Sequence, residues 1–267
     1  MTTMMTDVQI SDEQKKQYRD EGYFILERVL PDAHLELLRE ECDRAVQEID
    51  ADMERQGVEV SGINRRGNRY FIAQPSLQRP VLRQVLFSDL MEKICRAALG
   101  ETALVGWEQF VVKGAEAGMK FSWHQDAGYA HSMGAVNIAP GVSCWCALDD
   151  MSEENGTIYV LPYAKFGGGK LMDHIRDEEI NDLVGYFGDD PGIPVIVPAG
   201  SVAVFSGLAF HRSGFNTTKH MRRVYLAQYG AAVAKRADGT DFGRGDPFFT
   251  NGQRVDSALA SEGAATT

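Results

Sequence analysis

The hydrophobic rhythm of the chain changes once. From about residue 11 to residue 100, apolar positions recur every three or four residues, the repeat of a helix face. From about residue 102 to residue 230 they come in short, often β-branched runs separated by turn residues, as strands do. In the first region, Ser11-Asp12-Glu13-Gln14 has the pattern of a capping box, which predicts a helix running to about Asp20 and ended by Gly22. Tyr23 to Leu30 reads as a strand. Pro31 suits the first turn of a second helix. Its stripe of Leu35, Leu38, Cys42, Ala45, Val46, Ile49 and Met53 stops at Gly57. Residues 58–69 read as a Gly-, Asn- and Arg-rich loop before a short strand at Tyr70-Phe71-Ile72. The loop arginines are either an anion-binding group or solvated charge. Pro80 to Leu99 reads as helical, with a break near Ser88-Asp89 and a cap at Gly100.

In the second region, strands are expected at Ala103–Val112 (with Gly106 as a bulge or a break), Phe121–Asp126, Val142–Leu148 and Thr157–Leu161. They resume at Ile193–Val197, Ser201–Phe205 and Arg223–Tyr229. Residues 164–193 interrupt them with a glycine-flanked insertion. It reads as a helical acidic stretch and has the form of a lid. The tail from Ala231 is Gly-, Ala- and polar-rich. Pro247-Phe248-Phe249 is expected to pack back, and the last dozen residues to be disordered. Helices first and then about eight strands predict a mainly β fold with flanking helices. The expected core is a cupin-like jelly roll, the double-stranded β-helix. One domain is expected over residues 1–267, with a helical flank at about 11–100, a core at about 102–230 and a tail at 231–267.

Composition leaves this picture in place: 267 residues, 44% hydrophobic and 24% charged, is ordinary for a globular protein. Charge narrows the function. A net charge of −11 disfavours nucleic acid, which calls for a basic face, and gives no support to a polyphosphate-bearing acyl-CoA. The four cysteines, Cys42, Cys95, Cys144 and Cys146, make no CxxC pair and no zinc spacing. They are expected to be buried free thiols in a reducing, cytoplasmic setting. No apolar run reaches the roughly 18 residues of a membrane span, and the first residues lack a signal-peptide pattern. The expected partner is therefore a small-molecule substrate, with no nucleic acid and no membrane; a homodimer is left open.

The candidate chemistry centres on Trp123-His124-Gln125-Asp126. On a strand, His124 and Asp126 point the same way, because side chains alternate faces. His211, at the end of the strand that follows Pro198-Ala199-Gly200, would complete a two-histidine, one-carboxylate face. Such a face leaves about three positions open on an octahedral iron. Arg222 starts the next strand, 11 residues beyond His211, and an antiparallel return would bring it back nearby. An arginine there can pair two-pronged with a carboxylate. Zinc would also accept these ligands. His220 is an alternative ligand in a turn, and Arg223 an alternative anchor facing the other way. His34 and His174, on predicted helices, are bystanders.

With these residues the sequence resembles the phytanoyl-CoA dioxygenase family of Fe(II)/2-oxoglutarate-dependent oxygenases. The motifs are Trp123–Asp126, His211-Arg212-Ser213-Gly214-Phe215-Asn216 and Arg222. Gly22-Tyr23-Phe24-Ile25, Asn155-Gly156-Thr157 and Pro198–Phe205 support it, so the likeness spans roughly residues 11–230. The resemblance implies that His124, Asp126 and His211 bind catalytic Fe(II). It implies that Arg222, helped by Ser213, holds the far carboxylate of 2-oxoglutarate, and that Gln109 or Thr157 meets its inner end. Trp145 would line the space near the metal, and Trp123, Tyr129 and His131 would contact substrate. The implied cofactors are Fe(II), 2-oxoglutarate and O2, and the implied reaction is hydroxylation of a small organic metabolite with release of succinate and CO2. Halogenating relatives have Ala or Gly in place of the aspartate. Asp126 therefore argues for hydroxylation, or for desaturation, epimerisation or ring closure. The competing readings are an acyl-CoA-type substrate, a cupin-like binding protein without turnover, and a metal-dependent hydrolase or isomerase. Neither of the last two has a use for Arg222. Specificity is expected in the loops 58–70, 127–140 and 164–193.

Overall fold

The structure, a computed structural model, describes residues 8–116, 118–178 and 181–255. Helix α1 (Asp12–Glu21) opens on the expected capping box, with Ser11 and Gln14 each bonding the other's backbone. It closes on Gly22, whose φ of 88° is left-handed and favours glycine. The ring of Tyr163 packs so close to Gly22 that a Cβ would meet it at 2.5 Å. Strand β1 (Tyr23–Leu26) is shorter than expected, because the chain turns at Arg28 with a φ of 51°. Helix α2 (Asp32–Gln56) follows Pro31 and ends at left-handed Gly57. The Arg-rich loop is a small meander of β2 (Val60–Ser61), β3 (Asn64–Arg65) and β4 (Arg69–Ala73). The next helical stretch breaks into 3-10 turns, α3 (Arg83–Leu86) and α4 (Asp89–Leu99). The break falls at Ser88, whose hydroxyl caps α4.

The β region begins with β5 (Ala103–Lys113), β6 (Phe121–His124), helix α5 (Asp126–Ser132) and β7 (Ala135–Asn137). Strands β8 (Gly141–Ala147), β9 (Ile158–Leu161), β10 (Ile175–Arg176), β11 (Leu183–Val184), β12 (Ile193–Pro194) and β13 (Val202–Ser206) follow. The chain ends with β14 (Phe210–Ser213), β15 (Arg222–Gly230), β16 (Ala234–Arg236), β17 (Asp241–Phe242), β18 (Asp246–Thr250) and β19 (Gln253–Arg254). Gly106 is a bulge inside one strand: Gln228 faces Trp107 and Tyr229 faces Val105, leaving Gly106 unpaired.

The large sheet runs β1-β13-β8-β15-β5-β4-β3-β2, with β18 also on β5, and the small sheet runs β12-β9-β14-β6. Alternation decides what each face touches. On β8 and β13, Trp145, Ala147, Ala203 and Phe205 point to the core between the sheets. Their neighbours Cys144, Cys146, Val202 and Val204 point to the helices. This is the expected jelly roll with a helical flank, and all four cysteines are buried and free. Among the described residues, no helix is long and apolar enough to cross a membrane.

Three expectations change. The strand thought to run from Gly200 to His211 is two strands in different sheets, β13 and β14, with a turn between them at Gly207–Ala209. The described part of the insertion 164–193 contains no α-helix, only the end of a 3-10 turn at Tyr163–Lys165. It is a loop with the small β10–β11 hairpin, held by hydrogen bonds to Trp123 on β6, to Gln125 and to Tyr129 on α5 that an isolated acidic helix would lack. The tail packs back at Phe248 and Phe249, as expected, and what changes is its extent: strands carry it into the fold from Ala234 as far as Arg254. Phe248 and Phe249 are fully buried, and buried Glu108 accepts from Arg244 at 2.9 Å. The expected disordered end, residues 256–267, lies outside the described residues.

Candidate active site

The two histidines are direct cross-strand partners: His211 on β14 sits opposite His124 on β6. Opposed residues in an antiparallel pair bring their Cβ atoms to about 5 Å, and the imidazole centroids lie 4.1 Å apart. The sequence places Asp126 on the same strand as His124, but β6 ends at His124 and Asp126 opens α5. Gln125 between them is extended (φ −108°, ψ 139°), so alternation carries on for one residue and Asp126 still emerges on the side of His124. Ligand atoms of the three residues lie within 4.8 Å of one another. Asp126 Oδ1 is 3.6 Å from His211 Nε2 and 3.9 Å from His124 Nε2.

Each imidazole is oriented from behind. Nδ1 of His124 bonds the Ser122 carbonyl at 2.8 Å, and Nδ1 of His211 bonds the Ala209 carbonyl at 3.2 Å. A carbonyl only accepts, so Nδ1 carries the proton and Nε2 keeps its lone pair for a metal. Burial, followed by the charge of the neighbouring His211, holds His124 well below the usual histidine range and so keeps it neutral. Two imidazole nitrogens and a carboxylate suit Fe(II).

Across the cavity, Arg222 is 1% exposed. It does not reach the site by pairing beside β14, as expected, because β15 belongs to the other sheet. One guanidinium nitrogen donates to the Gly156 carbonyl at 3.2 Å, and the plane lies over Trp145 at 5.8 Å. Its Nε and Nη1 are buried without a hydrogen-bond partner. Burial pushes this guanidinium down to about 10, so it stays charged at neutral pH. A buried cation with two idle donors is costly unless an anion completes it, and a planar carboxylate fits its fork. Arg222, Trp145, Ser213, Gln109 and the triad line one cavity of about 700 Å³. The residues present therefore fit both a divalent metal and a carboxylate-bearing cosubstrate.

The phytanoyl-CoA dioxygenase (PhyH) family profile matches residues 18–224. The chain belongs to this family. It is a non-heme iron, 2-oxoglutarate-dependent oxygenase by class. The phytanoyl-CoA dioxygenase domain-containing protein 1 of Danio rerio is 21% identical, covering 81% of this chain and 88% of its own. The L-proline trans-4-hydroxylase of Streptomyces griseoviridis is 27% identical over 44% of this chain and 51% of its own. Among solved structures, EvdO2 from Micromonospora carbonacea var. aurantiaca complexed with 2-oxoglutarate has a TM-score of 0.66. It is 23% identical and covers 89% of this chain and 97% of its own. The carbocyclase SnoK from nogalamycin biosynthesis has a TM-score of 0.65 at 20% identity, covering 92% and 95%. At these identities the solved structures speak for the fold.

Three site residues that the family resemblance implied are placed elsewhere. Trp123 is next to His124 and so faces away from the cavity, packing against Tyr186 and under Arg212. Thr157 donates its hydroxyl to the Val195 carbonyl at 2.5 Å, outside the cavity wall. His131 bonds the Ala135 carbonyl at 3.0 Å at the end of α5 and does not line the cavity. Tyr129 does line it, edge-on to His124 at 5.1 Å, and its hydroxyl accepts from the Leu183 amide at 2.9 Å. His220 is exposed in its turn, and Arg223 faces outward onto Asp149 and Asp43.

The family's barrel also recruits residues that the sequence did not announce. Lys113 is buried in the wall, bonded to the Met119 carbonyl at 2.7 Å and to that of Gly214. Burial and the charges of Arg222 and Arg69 hold it well below the usual lysine range. Arg69 and Asp182, both buried, face one another at 3.6 Å. Register places Arg69, Lys113 and Arg222 side by side on β4, β5 and β15. Gln125, fully buried between two ligands, is the clamp of the insertion. Its side chain donates to the carbonyls of Lys170 and Leu208 and accepts from the Met172 amide. His174, no bystander, accepts from the Gln125 amide. The tail contributes Ala232, Ala234, Arg236, Phe242 and Arg244 to the wall. A lone Lys or Gln carries no periodicity, so no pattern in the sequence could have singled these out.

Proposed function

We propose that this chain hydroxylates a medium-sized, largely apolar organic molecule, of the kind met in natural-product tailoring, with conversion of 2-oxoglutarate to succinate and CO2. The observation that carries the cosubstrate is buried Arg222, with two donors free and the triad lining the same cavity. His124, Asp126 and His211 would hold Fe(II), which when bound supplies activation of O2. The chain's own residues orient and exclude. Arg222 fixes one end of the keto-diacid, with Ser213 beside it, while the triad lies in reach of the other. Trp145 and Phe205 keep water from the space between. The substrate space is bounded by Phe71, Trp107, Phe121, Tyr129 and Phe242, an aromatic wall suited to rings, with Arg69, Arg176, Arg236 and Arg244 on the same cavity. Asp126 favours oxygen transfer or a related oxidation over halogenation, since a carboxylate occupies the position a halide would need.

The test is direct. Anaerobic Fe(II) plus 2-oxoglutarate should give a weak visible charge-transfer band, and admission of O2 should give succinate. A panel of ring-bearing metabolites should then yield one product heavier by an oxygen. Absence of both band and succinate would sink the reaction class. Turnover confined to acyl-CoA thioesters would replace the substrate class and leave the chemistry standing.

A further inference from the structure

Asp126 is held from a direction that ligation does not explain. Its Oδ1 faces the two histidines, whereas its Oδ2 accepts from Ser143 Oγ at 2.5 Å. Ser143 is 1% exposed and lies on β8 in the opposite sheet. Its register partner on β15 is Gln228, whose side-chain amide donates to Ser143 Oγ at 3.2 Å. A serine hydroxyl has one proton to give. With the Gln228 amide pointing into the oxygen, that proton is directed at Asp126. The result is a one-way chain, Gln228 to Ser143 to Asp126, and it joins the two sheets at the metal centre.

A carboxylate can meet a metal with one oxygen or with both. A charge-assisted hydrogen bond to Oδ2 in a buried site is strong enough to decide between these modes. We propose that Ser143, oriented by Gln228, is a positioning residue that holds Asp126 to one-oxygen ligation through Oδ1. The second oxygen then takes no coordination position, and the open face stays available to the cosubstrate. This rests on the metal-centre reading above.

The test uses the full chain with Co(II) alone, read by calorimetry and by the visible cobalt spectrum, with thermal melting as a check on folding. Supporting groups behind metal ligands are worth about 10–100-fold in affinity. Ser143→Ala should therefore weaken Co(II) by about that much and change the cobalt spectrum as the coordination number changes. Ser143→Thr, which keeps the hydroxyl, should restore both. Gln228→Leu should move both readouts the same way by less, and should add nothing to Ser143→Ala, because the amide acts only through the hydroxyl. Unchanged affinity and spectrum in Ser143→Ala overturns the proposal, as does full additivity of the two substitutions. Should Ser143→Ala not fold, Gln228→Leu carries the test with the serine in place, and an unaltered spectrum there overturns it equally. A wild-type chain that takes up no Co(II) overturns the metal centre and this proposal together. Binding by wild type with no difference in the variants overturns this proposal alone.

Discussion

The two walls of the cavity are built to opposite specifications. The small-sheet wall offers lone pairs: two imidazole Nε2 atoms and one carboxylate oxygen, each aimed by a hydrogen bond behind it. The large-sheet wall offers donors, and its main one, Arg222, is left incomplete. The first wall is preorganised at little cost, because each imidazole is already hydrogen-bonded to a backbone carbonyl. The second stores an unpaired buried cation that the folded chain must tolerate until an anion arrives. Metal affinity and cosubstrate affinity should therefore be separable, and the stability of the ligand-free chain should respond to the second wall and hardly to the first.

The largest effect expected is on the metal wall. Asp126→Ala should reduce succinate formation by more than about 100-fold, exceeding the loss typical of a group merely behind a ligand, while the melting temperature of the metal-free protein stays near wild type. Retained turnover would reject the metal assignment. Arg222→Met probes the other wall. Losing one partner of a buried charged contact costs about 2 kcal/mol or more, so half-saturation by 2-oxoglutarate should rise by about 30-fold or more. Co(II) affinity should not change. Without ligand, this variant should melt higher than wild type, since it removes donors whose burial costs about 1–3 kcal/mol each when unpaired. A fall in Co(II) affinity parallel to the loss of 2-oxoglutarate would show that the walls are not independent.

A smaller effect is expected behind the metal wall. Gln125→Ala removes three hydrogen bonds to the backbone of residues 170–208. Local opening should become easier by about 1–3 kcal/mol, read as faster amide exchange over residues 170–185 with the strands of the large sheet unaffected. Uniformly faster exchange would mean that Gln125 supports the whole barrel. The smallest effect tests a placement. Thr157→Val should cost about 1 kcal/mol of stability through the lost bond to Val195 and leave the 2-oxoglutarate requirement within about twofold. A large rise in that requirement would put the hydroxyl back in the cosubstrate pocket.

The fold was legible where local chemistry repeats or terminates a pattern. The Ser11 capping box, the α2 stripe with its Gly57 stop, the Ser88 break and the Gly106 bulge all follow from backbone rules that act within a few residues. The His-x-Asp pair was legible too, although for a reason that needed adjustment. Alternation places His124 and Asp126 together even though the strand ends at His124, because Gln125 stays extended. The same rule, applied one residue earlier, excludes Trp123 from the cavity. The insertion misled because acidic composition alone has no partner; its actual conformation is set by bonds to Gln125, Trp123 and Tyr129. In the tail, the aromatic pair Phe248-Phe249 was legible as a segment that packs back, but its strands, of two to five residues, carry too little periodicity to read.

The sequence by itself determined the chemistry of this protein: which residues can ligate a metal, which cation can take a carboxylate, and the order of helices and strands that carries them. These are properties of side chains and of short-range backbone preference, and they need no knowledge of distant neighbours. Tertiary structure alone decided how the parts meet. Pairing of β14 with β6 sets His211 against His124, and closure of two sheets faces Arg222 toward them from the opposite wall. Packing decides where each hydroxyl is spent: Thr157 on Val195, Ser143 on Asp126. Strand register and sheet closure are long-range outcomes of burying apolar faces, and a polar group's role depends on what that burial leaves beside it.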